Sequence, residues 1–275
     1  MTLRVAPSAA EENDDVLGWT FQDGVYELTL DQAPCNEIGS RMLDALEGFL
    51  DSIEPELENA HALIIRSALK SGFCAGAHLR ELYEGLKAAE TASGRRQLAE
   101  FIDRIHAVMD RLDMLPLITV GVINGICFGG GFELALTCDI LIAEKNARFA
   151  FPELRLGIVP GFGGIPRLKR DVGNALIRDL LFTGRSLNAK KAQAAGLVSQ
   201  MVPNGEGIKA ARALVRQAER FDATARIAAK KFIKPLPRAE LHEEKTLFLE
   251  LAKRPTLMKA LQRFVESDDI RPYLP

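Results

Sequence analysis

Short apolar stretches separated by polar turns predict the strands of a buried sheet. Residues 25–30 alternate between apolar and polar side chains, which is typical of a half-buried strand. Uninterrupted apolar runs, which predict fully buried strands, occur at 62–66, 117–123 and 140–143. Because these strands alternate with helical segments, the first two-thirds of the chain indicates an α/β fold.

Helical spacing of apolar residues accounts for much of the remaining sequence. In the first two-thirds of the chain it predicts helices over 39–53, 96–112 and 131–137. Beyond residue 170 nearly the whole sequence is helical in pattern, at 175–182, 188–195, 205–220, 241–253 and 256–265. We therefore expect an α/β core over residues 1–200, with 1–15 flexible, and a helical region over 201–275.

Composition and charge exclude several classes of protein. The chain of 275 residues carries 35 basic and 37 acidic residues, and a net charge of −2 provides no general attraction to nucleic acid. The four cysteines form no CxxC pair and the four histidines form no HExxH motif, so no disulfide framework or metal site is expected. The uncharged segment 114–132 contains five glycines and a proline, which make a poor membrane helix.

The first fifteen residues are acidic and contain no long apolar stretch. This composition argues against a secretory signal and against a mitochondrial transit peptide. We therefore expect a soluble, cytoplasmic protein that does not associate with a membrane.

Two glycine-bearing junctions, residues 71–79 and 124–135, each follow a buried strand and open into a helix. Glycine lets the backbone approach a ligand closely, and the first turn of a helix has N–H groups without intrahelical partners. Two such junctions that face each other could direct two N–H donors at one developing oxyanion. The alternative is that the small residues only allow strand and helix to pack tightly.

Two glutamates stand in apolar surroundings, and each follows a turn. Glu153 is close to Phe149, Phe151 and Pro152, and Glu133 follows the glycine run directly. Burial raises the pKa of a carboxyl group, so the two could form a general acid/base pair. The alternatives are a surface turn residue for Glu153 and a partner of the helix dipole for Glu133.

Together these motifs resemble the crotonase, or enoyl-CoA hydratase/isomerase, superfamily. The resemblance is strong over 25–203 and weaker in the tail. It implies a spiral of ββα units with a C-terminal helical region, an acyl-coenzyme A thioester as substrate, no separate cofactor, and a homotrimer or hexamer. It rests on segments 34–36, 73–79, 124–135, 138–139, 151–153, 156–161 and 163–164, and on Gly184 and 192–198.

The resemblance also implies roles for individual residues. The backbone N–H groups of Ala77 and Gly130 match those that hold the thioester oxygen, and Glu133 and Glu153 match the two catalytic carboxylates of the hydratases. Gly161 matches the glycine that lines the pocket for the catalytic water. The remaining residues expected to line the substrate site are Ala75, Gly76, His78, Leu79, Gly129 and Phe132.

His78 departs from the family pattern, in which an aspartate follows the oxyanion residue. The histidine could be a neutral structural replacement, or it could alter the substrate or the chemistry. A histidine is expected to cap a helix poorly, so we expect His78→Asp to raise stability by roughly 0.5–1 kcal/mol. The large Phe132 could shape the acyl pocket, and core packing explains it equally well.

The resulting hypothesis is reversible hydration of a 2,3-unsaturated acyl-CoA to the 3-hydroxyacyl-CoA. Two alternatives stay open. One is another reaction of the superfamily, such as isomerisation of a 3-enoyl-CoA or dehydration of a branched acyl group on coenzyme A or a carrier protein. The other is a non-catalytic acyl-CoA-binding scaffold.

The helical tail carries many apolar residues, which would form an exposed patch in a monomer and therefore suggest an oligomer interface. The alternative is that they pack on the core of their own chain. These residues are Leu241, Leu247, Phe248, Leu251, Leu257, Met258, Leu261, Phe264 and Val265.

Overall fold

Strands and helices alternate as far as residue 202, and among the described residues beyond it all regular elements are helices. The computed structural model describes residues 11–13, 16–89 and 91–267. Its strands are β1 (Glu11–Asn13), β2 (Leu17–Gln22), β3 (Val25–Leu30), β4 (Ala62–Ser67), β5 (Gly72–Cys74), β6 (Ile118–Ile123), β7 (Ile126–Phe128), β8 (Ile140–Glu144), β9 (Arg148–Ala150), β10 (Leu187–Asn188) and β11 (Gln200–Val202).

The helices follow the predicted positions closely, with two additions. They are α1 (Ser40–Ile53), α2 (Leu79–Ala88), α3 (Ala92–Met114), α4 (Gly130–Ala135), α5 (Gly164–Asp171), α6 (Asn174–Thr183), α7 (Ala189–Ala194), α8 (Gly207–Ala218), α9 (Ala223–Ile233), α10 (Arg238–Ala252) and α11 (Pro255–Glu266). Short 3₁₀ helices cover Glu54–Asn59 and Glu153–Leu156. Helices α5 and α9 were not predicted from the sequence.

Two sheets carry the strands. The larger has the order β1-β2-β3-β4-β6-β8-β11, with β3 to β11 parallel, and the smaller has the order β10-β9-β7-β5. Successive strands alternate between them, so that β4, β6 and β8 lie in the large sheet while β5, β7 and β9 lie in the small one. This repeated pairing of strands, with helices after them, is the predicted spiral of ββα units.

Apolar side chains fill both faces of the large sheet. On one face Leu63 and Ile65 of β4 join the main core, and on the other Ala62 and Ile64 pack with Ala211 and Val215 of α8. Such burial on both faces explains why β4 is an uninterrupted apolar run rather than an alternating one. None of the described helices is both long and apolar enough to cross a membrane.

The boundaries predicted for the two regions stay predictions, although the structure adds detail to them. Residues 11–13, within the segment predicted to be flexible, form β1 and pair with β2, and the remainder of 1–15 lies outside the described residues. Strand β11 spans the predicted boundary at residue 200 and pairs with β8 in the large sheet. Helix α8 covers that sheet, so the helices that lie apart from it begin with α9.

The apolar residues of the tail do not form the exposed patch that was predicted. Leu241 and Phe248 of α10 and Leu257 and Leu261 of α11 are buried, and they pack on the core of their own chain. Among the predicted patch residues, Leu247 is 43% exposed. Helices α10 and α11 are therefore attached to the core of their own chain, and the expected exposed patch was wrong, while the oligomer itself stays a prediction.

Two lysines, one in the last turn of α9 and one directly after it, join this helix to the rest of the protein by ion pairs. The Nζ of Lys230 lies 2.9 Å from Oδ2 of Asp139, and the Nζ of Lys234, directly after the helix, lies 3.0 Å from Asp113 and 2.8 Å from Asp139. The apolar Phe232, by contrast, is 87% exposed. The buried face of this helix is thus the charged one.

Candidate active site

The two glycine junctions lie side by side because the short strands that precede them are neighbours. Strands β5 and β7 pair in parallel in the small sheet, and the chain leaves both at the same edge. A β-carbon built onto Gly76 would lie 3.3 Å from the nitrogen of Gly130, and one built onto Gly130 would lie 3.4 Å from the nitrogen of Ala77. The small residues therefore allow two backbone segments to approach each other closely.

Local structure leaves the N–H groups of Ala77 and Gly130 without hydrogen-bond partners among the described residues. Beside Ala77, the chain pairs with Ile38, whose N–H donates to the carbonyl of Gly76 and whose carbonyl accepts from His78. That pairing uses the groups flanking Ala77 and not its own amide. Gly130 is the first residue of α4, where an N–H has no intrahelical acceptor. Two adjacent amides are thus available to one acceptor.

Glu133 is held by a turn on the opposite side of this site. Its side chain is 2% exposed, and its Oε1 accepts hydrogen bonds from the N–H groups of Phe162 and Gly164, each at 2.8 Å. Burial raises the pKa of Glu133 to about 7, although the two amides and Arg167 oppose the shift. The carboxyl can therefore exchange a proton near neutral pH.

Glu153 approaches the same junction from the first turn of a 3₁₀ helix. A β-carbon on Gly129 would lie 2.5 Å from its Oε1, and Gly129 has a φ of +49°, so the position suits glycine alone. The residue is half-buried, but its Oε2 is buried without a hydrogen-bond partner among the described residues. Burial and then the charge of Glu133 raise the pKa of Glu153 well above its usual value.

The turn that holds Glu133, residues 161–165, is fixed through its carbonyl groups. Nε2 of His106 lies 2.8 Å from the carbonyl oxygen of Gly161 and must donate to it, while the guanidinium of Arg167 donates to the carbonyls of Phe162 and Gly163. Arg167 is fully buried and pairs with Asp110 and Asp113. These contacts hold the turn in the conformation in which the amides of Phe162 and Gly164 point towards Glu133.

Sequence reasoning missed these supporting residues. The sequence signs are weak: His106 is a polar residue on the apolar face of the helix predicted over 96–112, and Asp113 directly follows that predicted helix. Gly161 itself lies in the turn as expected, and a β-carbon there would meet the ring of Phe248 at 2.5 Å.

His78 caps α2, contrary to the sequence-based expectation. Its Nδ1 accepts a hydrogen bond from the N–H of Glu81 at 3.2 Å, and this is the bond that an N-cap side chain makes. Its Nε2 lies 3.9 Å from a carboxylate oxygen of Glu37. The acceptor role of Nδ1 places the proton of the neutral ring on Nε2. The expectation that a histidine caps poorly here was therefore wrong.

Of the other predicted site residues, Ala75 and Leu79 lie at the junction and Phe132 lies in the core. The amide of Ala75 donates to the carbonyl of Cys35, and Leu79 begins α2 beside Ala77. The ring of Phe132 is fully buried and stacks on Phe151 at 4.7 Å between centroids, so core packing accounts for it.

Lys70 and Arg80, two basic residues that flank the first junction in the sequence, lie in different surroundings. Lys70 lines a surface cavity of about 230 Å³ with Arg66 and Glu144, away from the two glutamates. Arg80 lies against α11 instead, where it donates to the carbonyl of Val265. No group of three or more potential metal ligands occurs in the part of the chain that the structure describes.

Comparison with known proteins decides which family has this arrangement. The family profile described as Enoyl-CoA hydratase/isomerase matches residues 20–271. The chain belongs to the enoyl-CoA hydratase/isomerase family. Its crotonase fold and the resemblance drawn from the motifs are thereby confirmed.

Several named members of this family are similar to the chain. It is 35% identical to human mitochondrial methylglutaconyl-CoA hydratase over 187 residues, 68% of this chain and 52% of the human protein. The chain therefore spans about half the length of that relative. It is 30% identical over 247 residues to a probable enoyl-CoA hydratase, echA8, of Mycobacterium bovis, which is 88% of this chain and 91% of that protein.

Solved structures of family members agree with the fold. The enoyl-CoA hydratase of Bacillus halodurans superimposes with a TM-score of 0.80 at 24% identity, over 90% of this chain and 98% of that one. The enoyl-CoA hydratase of Bacillus anthracis superimposes with a TM-score of 0.70 at 27% identity, over 94% and 96%.

Proposed function

We propose that the protein adds water reversibly to a 2,3-unsaturated acyl-CoA and forms the 3-hydroxyacyl-CoA. The observation that carries the proposal is the meeting of two unpaired amides with two buried glutamates at one junction. Membership of the family supports acyl-CoA chemistry in general, and the names of the similar proteins favour a hydratase.

The N–H groups of Ala77 and Gly130 would bind the thioester oxygen. Two donors there would stabilise the negative charge of the enolate and make carbon 3 electrophilic. Gly76 and Gly129 would allow the close approach, while Ala75, His78 and Leu79 would shape the channel around them. We keep Phe132 out of this set because its ring lies in the core.

The two carboxyl groups would divide the proton transfers. Glu133, whose carboxylate form is stabilised by the amides of its turn and by Arg167, would hold the water at the Gly161 turn and remove its proton as the oxygen bonds to carbon 3. Glu153, whose pKa is raised further by the charge of Glu133, would stay protonated and deliver its proton to carbon 2. Environments that separate the pKa values of two carboxyls typically assign one as base and the other as acid.

Hydration involves no net oxidation or reduction, so the proposal includes no cofactor besides the coenzyme A of the substrate. We also retain, as proposals, assembly into a trimer or hexamer and a cytoplasmic location. Light scattering at micromolar concentration tests assembly, and a single-subunit mass would reject it. Cell fractionation tests the location, which matters because the human relative is named as mitochondrial.

The decisive experiment compares wild type with Glu153→Gln, Glu133→Gln and the exposed control Glu240→Gln. Loss of the conjugated enoyl absorbance is followed with crotonyl-CoA and a branched methylglutaconyl-CoA, and gain of that absorbance is followed with a 3-enoyl-CoA. We expect each site variant to lose at least about 100-fold in kcat, on the scale of general acid/base catalysis, and the control to lose nothing. A loss under tenfold for Glu153→Gln would refute its role, and conversion of the 3-enoyl-CoA alone would show an isomerase.

A further inference from the structure

One face of α10 lies against the turn 161–165 that holds Glu133. Leu241, Glu244 and Phe248 are spaced i, i+3 and i+7, so they share a face of the helix. A β-carbon on Gly163 would lie 2.6 Å from Leu241, and one on Gly161 would lie 2.5 Å from Phe248. Leu241 and Phe248, which flank Glu244 on this face, therefore contact the turn closely.

Glu244 forms the polar contact between this face and the turn. Its Oε2 accepts a hydrogen bond from the N–H of Ile165 at 2.8 Å, and its side chain is 6% exposed. Its Oε1 is buried without a partner among the described residues. Burying a carboxyl group that is only partly hydrogen-bonded is costly, and an apolar residue would fill the place at a lower cost. Filling space in the core therefore does not explain why a glutamate occupies this position.

We infer that Glu244 is a positioning residue, which keeps the carboxyl of Glu133 in place by anchoring the first turn of α5. The inference rests on the proposed function. The N–H of Gly164, which binds Oε1 of Glu133, and the N–H of Ile165, which binds Glu244, belong to consecutive residues. The two carboxyl groups thus accept hydrogen bonds from neighbouring amides of the same turn.

Charges around Glu244 favour its neutral form. Burial raises the pKa of Glu244 well above its usual value, and the charge of Glu133 raises it further, while Arg167 lowers it. The charge of Glu244 in turn raises the pKa of Glu153. A neutral carboxyl can accept from Ile165 without placing another negative charge beside Glu133, and a glutamine amide oxygen can do the same.

The effect on catalysis follows from the precision that the site requires. The two amides that hold Glu133 come from Phe162 and Gly164, so any shift of this turn moves the carboxyl group. A displacement of about 1 Å at a reacting group can cost about 100-fold in rate. Loss of the anchor should therefore lower kcat, and it should leave KM nearly unchanged because Glu244 is not expected to contact the substrate.

The test uses three variants of the full chain. Glu244→Leu fills the space but removes the hydrogen-bond acceptor of the Ile165 N–H, and Glu244→Gln keeps an acceptor there. Glu240→Ala is the matched control, since Glu240 also joins α10 to α5, but through an exposed ion pair with Lys169. We expect Glu244→Leu to lower kcat at least about tenfold with KM within about twofold, and the other two to stay within about threefold of wild type.

A second measurement does not depend on turnover. Hydrogen exchange of peptides covering 161–168 should be faster in Glu244→Leu than in wild type or Glu240→Ala. Wild-type kcat or unchanged exchange in Glu244→Leu would overturn the inference and leave the proposed function standing, as would equal losses in Glu244→Leu and Glu244→Gln. If wild-type protein converts none of the thioesters, the proposed function fails and the exchange result alone decides whether Glu244 anchors the turn.

Discussion

Replacing Glu133 by glutamine should make the protein relatively more stable as the pH rises. The pKa of Glu133 is raised from 4.5 to about 7 in the folded state. A raised carboxyl pKa means that the folded state binds the proton more tightly, so this contribution to stability is complete below about pH 4.5 and is lost as the pH rises towards 7. Glutamine does not titrate, and its oxygen can still accept from Phe162 and Gly164.

The size of the effect follows from the shift in pKa. One pKa unit corresponds to about 1.4 kcal/mol, so ionising Glu133 in the folded state costs about 3 kcal/mol relative to the unfolded chain. About 2 kcal/mol of this has appeared by pH 6 and nearly all of it by pH 8. We therefore expect the free energy of unfolding of Glu133→Gln, relative to wild type, to increase by about 1 kcal/mol between pH 6 and pH 8.

Reversible urea unfolding at fixed protein concentration, with both proteins at each pH, measures this difference. Glu240→Gln, at an exposed position, is the control and should show no such trend between pH 6 and pH 8. A difference between Glu133→Gln and wild type that stays constant or decreases with pH would refute the raised pKa, and with it the assignment of Glu133 as a base that works near neutrality.

Three further substitutions test other parts of the site. Gly129→Ala would place a methyl group 2.5 Å from Glu153 at a φ of +49°, so kcat should fall about 100-fold, whereas Gly85→Ala, where the space is open, should leave the rate unchanged. Asp113→Ala would remove the carboxylate that three buried cations share and leave each with one other acidic partner, so it should cost about 3 kcal/mol in urea unfolding; a cost below about 1 kcal/mol would contradict this. Because His78 already caps α2, His78→Asp should change stability by less than about 0.5 kcal/mol, and abolished turnover would instead make it catalytic.

The elements with long hydrophobic patterns could be predicted from the sequence. In α1 the six apolar residues of the repeat, among them Met42 and Ile53, are the ones that the structure buries. Strands β5, β7 and β9 were missed because three residues are too few to show a period. These strands nevertheless bring the two junctions together, so the site could be named from motifs while its geometry could not.

Two other failures have physical causes. Helix α9 has a lysine inside and phenylalanine outside, the reverse of the pattern on which helix prediction depends. Glu244 stands in the charged run Glu243-Glu244-Lys245, which in a sequence indicates a solvent-exposed face. Only its spacing from Leu241 and Phe248 indicates that it faces inwards.

The attachment of α9 through Lys230 and Lys234 has a consequence for how this part of the chain opens. Local opening of a helix usually costs the hydrophobic area that it exposes. Here opening would leave Asp113 and Asp139 with fewer cations around them, so electrostatics would set the cost. Phe232, by contrast, is already exposed, so opening would expose little further apolar area at this residue. The free-energy cost of detaching α9 is thus set mainly by two ammonium groups. Neutralising Lys230 or Lys234 should loosen the helix more than the loss of an apolar contact would.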